Sequence, residues 1–338
     1  MKELAVYGIG SPLMDILVNV KSEELSELNL NKGVMHLLDE RKREELISFI
    51  ANRDKKLTCG GDTPNTIIAL ANLGIPTALS GRIGKDEYGD HYKKKLEELK
   101  IISNLKEGNL PTGTSIILIS EDSERTMCTH LGACQNFNKE DINEKLISNS
   151  KYIHFTGYMW GTDAQKEAVM KAIKIAKANS TKVIFDVADP FVVKNNKEDL
   201  IKLIKENVDI VFANKEESRL LLDTEDPEEA INKLSKLCKI AVIKIGSKGA
   251  LVKNKNEKVI FIPSRKVNAI DTTGAGDNFA AGFIYGLYNN MSIQESGIFA
   301  SYLASHIVSN IGAQLNEKTK KEILLNIRKG SWNYIRGG

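Results

Sequence analysis

Six short apolar runs, LAVYGIG, TALSG, YIHFTG, KVIFDV, DIVFAN and IAVIKIG, punctuate the chain, and amphipathic stretches such as DAQKEAVMKAIKIAKAN fall between them. The runs read as buried strands and the stretches as covering helices. Alternation of this kind predicts an α/β fold in which a mainly parallel sheet carries helices on both faces. Ligands of such sheets bind beyond the carboxyl ends of the strands. Gly10, Asp15, Gly157, Asp186, Asn214, Gly246 and Asp271 each follow a strand-like run and are expected at that edge.

Two regions break the alternation, residues 12–39 and about 111–130. There PLMDILVNV, VMHLLD, TSIILIS and RTMCTH look like short strands with no long helix between them, so they are expected to pair into a small sheet of their own. The expected division is a large domain of residues 1–11, 40–110 and 131–338 and a small one of residues 12–39 and 111–130.

Composition narrows the function classes. The net charge of +3 is left over from 47 basic and 44 acidic residues, a mixed surface that makes nucleic acid an unexpected partner. No apolar stretch approaches the roughly 20 residues of a membrane helix. The N-terminus lacks a signal peptide's apolar region and cleavage site, so a cytoplasmic protein is expected. Cys59, Cys128, Cys134 and Cys238 lack metal spacing and are expected to be reduced structural thiols, with alkylation of Cys59 expected to inhibit. A P-loop motif and the protein-kinase motifs are absent. Leu13 stands where a dinucleotide fingerprint beginning at Gly8 and Gly10 needs its third glycine.

The densest chemistry lies in DTTGAGDNFAAGF, from Asp271 to Phe283. Gly274, Ala275 and Gly276 form a turn whose N–H groups are expected to have no partner in the helix that follows, and small side chains let an anion approach them. The positive end of that helix favours a phosphate. Asp277 comes next, where a carboxylate makes electrostatic sense if it faces the group attacking phosphorus. From the four residues alone it could equally be an N-cap.

DTTGAGDNFAAGF resembles the signature of the ribokinase-like, PfkB-type sugar and nucleoside kinases. The resemblance implies a three-layer α/β/α sandwich with a β-sheet lid over the acceptor, formed by the two irregular regions. It extends to GGDTPNTIIALANLG, where the family's glycines flank the acceptor and its asparagine touches it; those roles pass to Gly60, Gly61 and Asn65. Asp62, Pro64 and Ile67 depart from the usual small residues there. Asp15 matches the acidic residue that holds sugar hydroxyls in the family.

On the nucleotide side, Asn214 and Glu217 in FANKEES resemble the element that orders Mg²⁺ and its waters near the phosphates; read alone, NKEES is a helix start. KIGSKGA, from Lys244 to Ala250, resembles a turn beside ATP, which makes Lys244, Gly246 and Gly249 candidate nucleotide contacts and also suits a hairpin. VSNIGAQ resembles the segment that helps bind a monovalent cation such as K⁺, which would place Asn310 and Gly312 with Asp271 and Thr273.

The activity implied is transfer of the ATP γ-phosphoryl group to an alcohol, with Asp277 as base and the Gly274–Gly276 turn as anion hole. An aspartate of ordinary pKa, about 3.9, is a weak base toward an alcohol, which predicts late proton transfer. GSPLMD, LNLNKGVMHLLDERK, SERTMCTHLGACQNF and HFTGYMWG are similar to bacterial adenosine kinases, and Met127, His130, Tyr158, Met159 and Trp160 are candidates for a base platform. A sugar or sugar-acid kinase is the alternative, and a catalytically idle nucleoside- or sugar-binding regulator the third reading. Both a monomer and a homodimer fit, because an exposed lid sheet can pair with a second copy.

Overall fold

A computed structural model of the protein describes residues 2–122 and 124–331. Among these, fourteen strands form two sheets: β1 Leu4–Ile9, β2 Leu13–Asn19, β3 Met35–Leu37, β4 Lys55–Gly60, β5 Thr77–Gly84, β6 Ile102–Gly108, β7 Gly113–Ile119, β8 Arg125–His130, β9 Ser150–Thr156, β10 Lys182–Asp186, β11 Ile210–Asn214, β12 Ile240–Lys244, β13 Gly249–Asn254 and β14 Ile260–Pro263. The larger sheet has the order β14-β13-β12-β11-β10-β9-β1-β5-β6, parallel from β12 to β6 and antiparallel at β12-β13-β14. All six apolar runs of the sequence are parallel strands in it.

Period-two alternation along β1 sends its side chains into two separate cores. Val6 joins Ile67, Phe279 and Phe283 on one face, while Tyr7 and Ile9 join Phe155, Ala168 and Ile173 on the other. Helices Asp62–Asn72, Ala275–Tyr288 and Ile293–Val308 cover the first face, and Asp163–Ala178, Pro190–Asn207 and Pro227–Leu237 the second. Apolar strands buried on both faces are what a sheet covered in this way requires. No helix among the described residues is long and apolar enough to cross a membrane.

The second sheet, ordered β3-β8-β7-β2-β4, contains the four irregular strands expected outside the main sheet, together with a fifth. The fifth is β4, which the expected boundaries assigned to the large domain. Its sequence KKLTCG opens on two exposed lysines and becomes buried only at Cys59 and Gly60, so no apolar run announces it. It is held by antiparallel pairing with β2, Leu13 opposite Gly60 and Val18 opposite Lys55. A lysine-rich end also suits an edge strand, because charge discourages pairing with another chain.

A second departure concerns Asp271, which does not follow a strand. Residues 264–270 are irregular, and the Ile270 and Asp271 amides instead donate to the Val308 carbonyl at 2.7 and 3.2 Å.

Candidate active site

The carboxyl ends of β12, β11, β10 and β9 lie side by side and carry Lys244, Asn214, Asp186 and Thr156, in register as Lys244 opposite Asn214 and Asp186 opposite Thr156. Lys244 Nζ donates to Asp186 Oδ2 at 2.7 Å, and both side chains are largely buried. Burial is the largest influence on Lys244 and works against its charge, but Asp186 and Glu217 together outweigh it and hold its pKa above the ordinary value. The lysine therefore stays charged. A Cβ added at Gly276 would lie 3.2 Å from its Nζ, so the ammonium faces the glycine turn.

That turn starts the Ala275–Tyr288 helix, with Gly274 at the N-cap in left-handed backbone, φ 72°. Its amides are not equivalent. Ala275 N–H donates to the Thr272 carbonyl at 3.2 Å, whereas among the described residues the Gly274 and Gly276 amides donate to no partner. Two free amides, a helix N-terminus and the Lys244 ammonium make a cationic cradle of the kind a phosphate occupies.

Asp277 does not cap its helix. Its Oδ2 accepts from Asn65 Nδ2 at 2.9 Å, and its backbone carbonyl accepts from the Thr66 hydroxyl at 3.1 Å. Burial first, then Asp62, raises its pKa well above the ordinary carboxylate range, and the Asn65 hydrogen bond opposes that rise. Asp277 is thus a stronger base than an aspartate near 3.9, and the weak-base premise taken from the sequence fails because the group is desolvated.

Asn65 is 5% exposed. Packing of the Asp62–Asn72 helix against the Ala275–Tyr288 helix buries it. Its Oδ1 is buried and has no partner among the described residues. Gly61 precedes this helix and could not be larger, since a Cβ there would meet the Ser11 carbonyl oxygen at 2.1 Å. At Gly60 a Cβ would fall 2.3 to 2.4 Å from the Asp15 carboxylate, which lies directly on the hinge. Burial, then Asp62, pushes the Asp15 carboxyl up to about 7, with Arg125 pulling it down.

This raised pKa has a consequence for stability. A carboxyl whose folded pKa lies above its unfolded value stabilises the fold fully below about pH 4, and loses that contribution as pH rises through about 7. Asp15→Asn is expected to leave the melting temperature near wild type at about pH 4.5 and to raise it at about pH 8. Melts at the two pH values check this; a difference that does not change with pH would exclude it.

Asn214 and Glu217 form a capping box. Glu217 N–H donates to Asn214 Oδ1 at 2.8 Å, and Asn214 N–H donates to Glu217 Oε2 at 2.7 Å. The helix-start reading of NKEES therefore holds, and Glu217 is 1% exposed. Burial is the main reason its carboxyl rises to about 7, with Asp186 adding to the rise and Lys244 opposing it. Gly246 and Gly249 form the hairpin between β12 and β13. Gly246 is open to its surroundings, but a Cβ at Gly249 would meet the Ile262 carbonyl oxygen at 2.0 Å, so Gly249 packs against β14.

Asp271 is a hub. Its carboxylate accepts from Thr273 N–H at 3.0 Å and from Gly312 N–H at 2.5 Å, and pairs with Arg125 at 2.8 Å. Arg125 comes from β8 of the small sheet and also donates to the Thr273 hydroxyl at 3.2 Å, so it ties that sheet to the loop leading into the Ala275–Tyr288 helix. In the segment expected to bind a monovalent cation, the side chains of Asp271 and Asn310 are engaged within the protein. Arg125 pairs with Asp271, and the Asn310 side chain donates to the His306 carbonyl and accepts from Asn316. Gln314 Nε2 donates to the Cys59 carbonyl, linking this loop to the hinge.

Three other expectations change. Trp160 stacks on Phe155 with centroids 6.2 Å apart and is buried with Met159 in the second core, which removes both from a base platform. His130 is buried with Nε2 3.2 Å from Glu40. Cys59 is buried and its thiol is pushed up to about 12 by burial, which leaves little thiolate for alkylation. Tyr158 is 38% exposed, and its hydroxyl donates to Asp189 Oδ2 at 2.8 Å. Asp186 and Thr66 were not singled out for their chemistry. Asp186 carried a signal, an apolar strand ending on a carboxylate; Thr66 carried none.

The model of the pfkB family of carbohydrate kinases matches residues 42–320. The crystal structure of adenosine kinase from Sinorhizobium meliloti superposes with a TM-score of 0.87 at 29% identity, covering 97% of this chain and 99% of that one. Adenosine kinase 2 of Arabidopsis thaliana is 29% identical over 93% of this chain and 96% of its own length. A 5-dehydro-2-deoxygluconokinase of Clostridium perfringens is 28% identical over 81% of this chain and 85% of its own length. A family match over most of the chain, on a ribokinase-like fold with a cationic cradle beside a half-buried carboxylate, leads to one conclusion: the chain belongs to the pfkB family of carbohydrate kinases, phosphotransferases with an alcohol acceptor.

Proposed function

We propose that the protein transfers the γ-phosphoryl group of ATP to the hydroxymethyl group of a nucleoside, adenosine giving AMP. The observation that carries this reading is the meeting of Asp277 and Asn65 at the mouth of the Gly274–Gly276 turn, which puts a base, an acceptor contact and an anion cradle in one cleft. The acceptor oxygen attacks the γ-phosphorus as the bond to the ADP oxygen breaks. Its proton passes to Asp277, and the free turn amides and Lys244 neutralise charge on the moving group. Arg125 and Gln314 hold the lid and hinge closed against water.

The family implies ATP and typically Mg²⁺. Among the described residues no three His, Cys, Asp or Glu side chains converge on a metal position, which suits an ion carried on the nucleotide phosphates. Glu217 and Asp186, buried with one lysine between them, would hold the hydrated ion there, where it supplies charge neutralisation.

Likeness to known kinases supports a sugar acceptor as well as a nucleoside; the nucleoside reading rests on the likeness of GSPLMD, SERTMCTHLGACQNF and HFTGYMWG to bacterial adenosine kinases. ADP formation from MgATP with adenosine, inosine, guanosine, ribose, fructose and 2-keto-3-deoxygluconate tests it. Preference for adenosine is expected; preference for a free sugar would overturn the nucleoside assignment while leaving the kinase chemistry in place.

A further inference from the structure

Three consecutive residues, Gly312, Ala313 and Gln314, each hold a different part of the cleft. Gly312 N–H donates at 2.5 Å to the Asp271 carboxylate, the same one that Arg125 of β8 pairs with at 2.8 Å. The Ala313 carbonyl accepts at 2.9 Å from Nδ2 of the buried Asn278, which also donates to the Gly274 carbonyl at 2.8 Å. Gln314 Nε2 donates to the carbonyl of Cys59, one residue before the end of β4. The tripeptide thus connects to the small sheet along two routes and to the glycine turn along a third.

Its contact with the turn leaves no slack. A Cβ on Gly274 would lie 2.4 Å from the Ala313 Cβ and 2.7 Å from its Cα, so the turn packs directly on Ala313. Close-packed groups transmit a displacement instead of absorbing it. Gly312 and Ala313 make their ties through the backbone, and Gln314 alone of the three reaches the small sheet with its own side chain. Moving β4 off its seat strains this bond, and the strain passes to Ala313 and then to Gly274. The free amides of Gly274 and Gly276 are re-aimed as a result.

We propose that Gln314 is a positioning residue that makes assembly of the anion cradle depend on the seating of the small sheet. The inference rests on reading this cleft as a kinase site, with the acceptor beside the hinge and the transferred phosphoryl group at the Gly274–Gly276 turn. An acceptor that draws the small sheet onto its seat then tightens binding of the nucleotide's terminal phosphate, and by linkage the nucleotide tightens binding of the acceptor by the same factor. With no acceptor bound the cradle is incomplete, which spares ATP from attack by water.

Calorimetric titration tests this through the Kd of adenosine with and without saturating Mg²⁺ and the β,γ-imido analogue of ATP. In wild type the analogue is expected to tighten adenosine by at least ~10-fold. Gln314→Met keeps the length of the side chain and removes the donor. Its coupling factor is expected to fall to about 2 or less, while the Kd of each ligand alone stays within about 3-fold of wild type. A merely structural role would weaken both ligands and leave the factor unchanged. If the methionine variant does not fold, Gln314→Glu takes its place, since it too removes the donor and keeps the length. A wild-type factor near 1, or an unchanged factor in the variant, overturns the proposal with the kinase reading intact. Should ribose or fructose bind and adenosine not, only the nucleoside assignment falls, and the same comparison with that sugar decides the role of Gln314. If no acceptor binds, the kinase reading fails, and hydrogen exchange of the free protein decides the link. Faster exchange at residues 272–279 in the variant is expected; a change confined to residues 309–316 overturns it.

Discussion

Asp277→Asn lowers turnover by roughly 10²–10⁴-fold or more, while the variant folds and binds ATP as wild type does. The loss follows from chemistry, because an amide cannot take the proton of the attacking hydroxyl. The fold survives because Oδ1 of the introduced amide can still accept from Asn65 Nδ2, and because a half-buried carboxyl whose pKa is raised is being replaced by a neutral group. Above the ordinary carboxylate range the variant is therefore expected to melt no lower than wild type. The wild-type pH profile carries the complementary signal. The base must be ionised, so kcat rises with pH through the raised pKa of Asp277, and the asparagine variant loses that rise. Near-normal turnover in the variant, with a wild-type pH profile, would remove Asp277 from the mechanism.

Gly274→Ala is expected to cost about 10²–10³-fold in kcat and about 1–3 kcal/mol in stability. Left-handed backbone at φ 72° strains any residue with a Cβ, and here the added atom would lie 2.4 Å from the Ala313 Cβ and 2.7 Å from its Cα. The loop cannot yield without disturbing its neighbours. Gly312 N–H is held by Asp271, the Ala313 carbonyl accepts from Asn278 Nδ2 at 2.9 Å, and Gln314 reaches the hinge carbonyl of Cys59. The turn itself must move, and its two free amides move with it. Gly330→Ala is the control, since its backbone is also left-handed, φ 66°, but the space around it is open. It should cost about 1 kcal/mol from strain alone. Equal effects of the two substitutions on kcat would show that backbone strain, and not the position of the anion cradle, explains the loss.

Much of the fold was legible because its signals are short-range. Six of the seven parallel strands among the described residues are continuous apolar runs, and a sheet covered on both faces needs them whatever its strand order. β4 was missed for the converse reason: an edge strand with lysines at its exposed end is held by its neighbour, and nothing in KKLTCG marks it. Met159 and Trp160 misled because an aromatic segment at a strand end reads the same whether it lines a site or fills a core. Their packing on Phe155 and Phe185 decides for the core. Asp271 was assigned its neighbourhood by likeness, and the observed arginine partner, 146 positions earlier in the chain, is not a local property.

The glycine turn, the helix that follows it and the capping box at Asn214 and Glu217 are written in consecutive residues, because turn geometry and helix starts depend on side chains within one turn. Charge and proton affinity are not. Asn65 meets Asp277 across 212 positions and Lys244 meets Asp186 across 58. The raised pKa values of Asp15, Asp62 and Asp277 come from burial that exists only once the two helices and the small sheet have closed over them. Local sequence places the groups that can do phosphoryl transfer; desolvation and long-range contact, which arise only in the folded chain, set which of them are charged and which remain free to act.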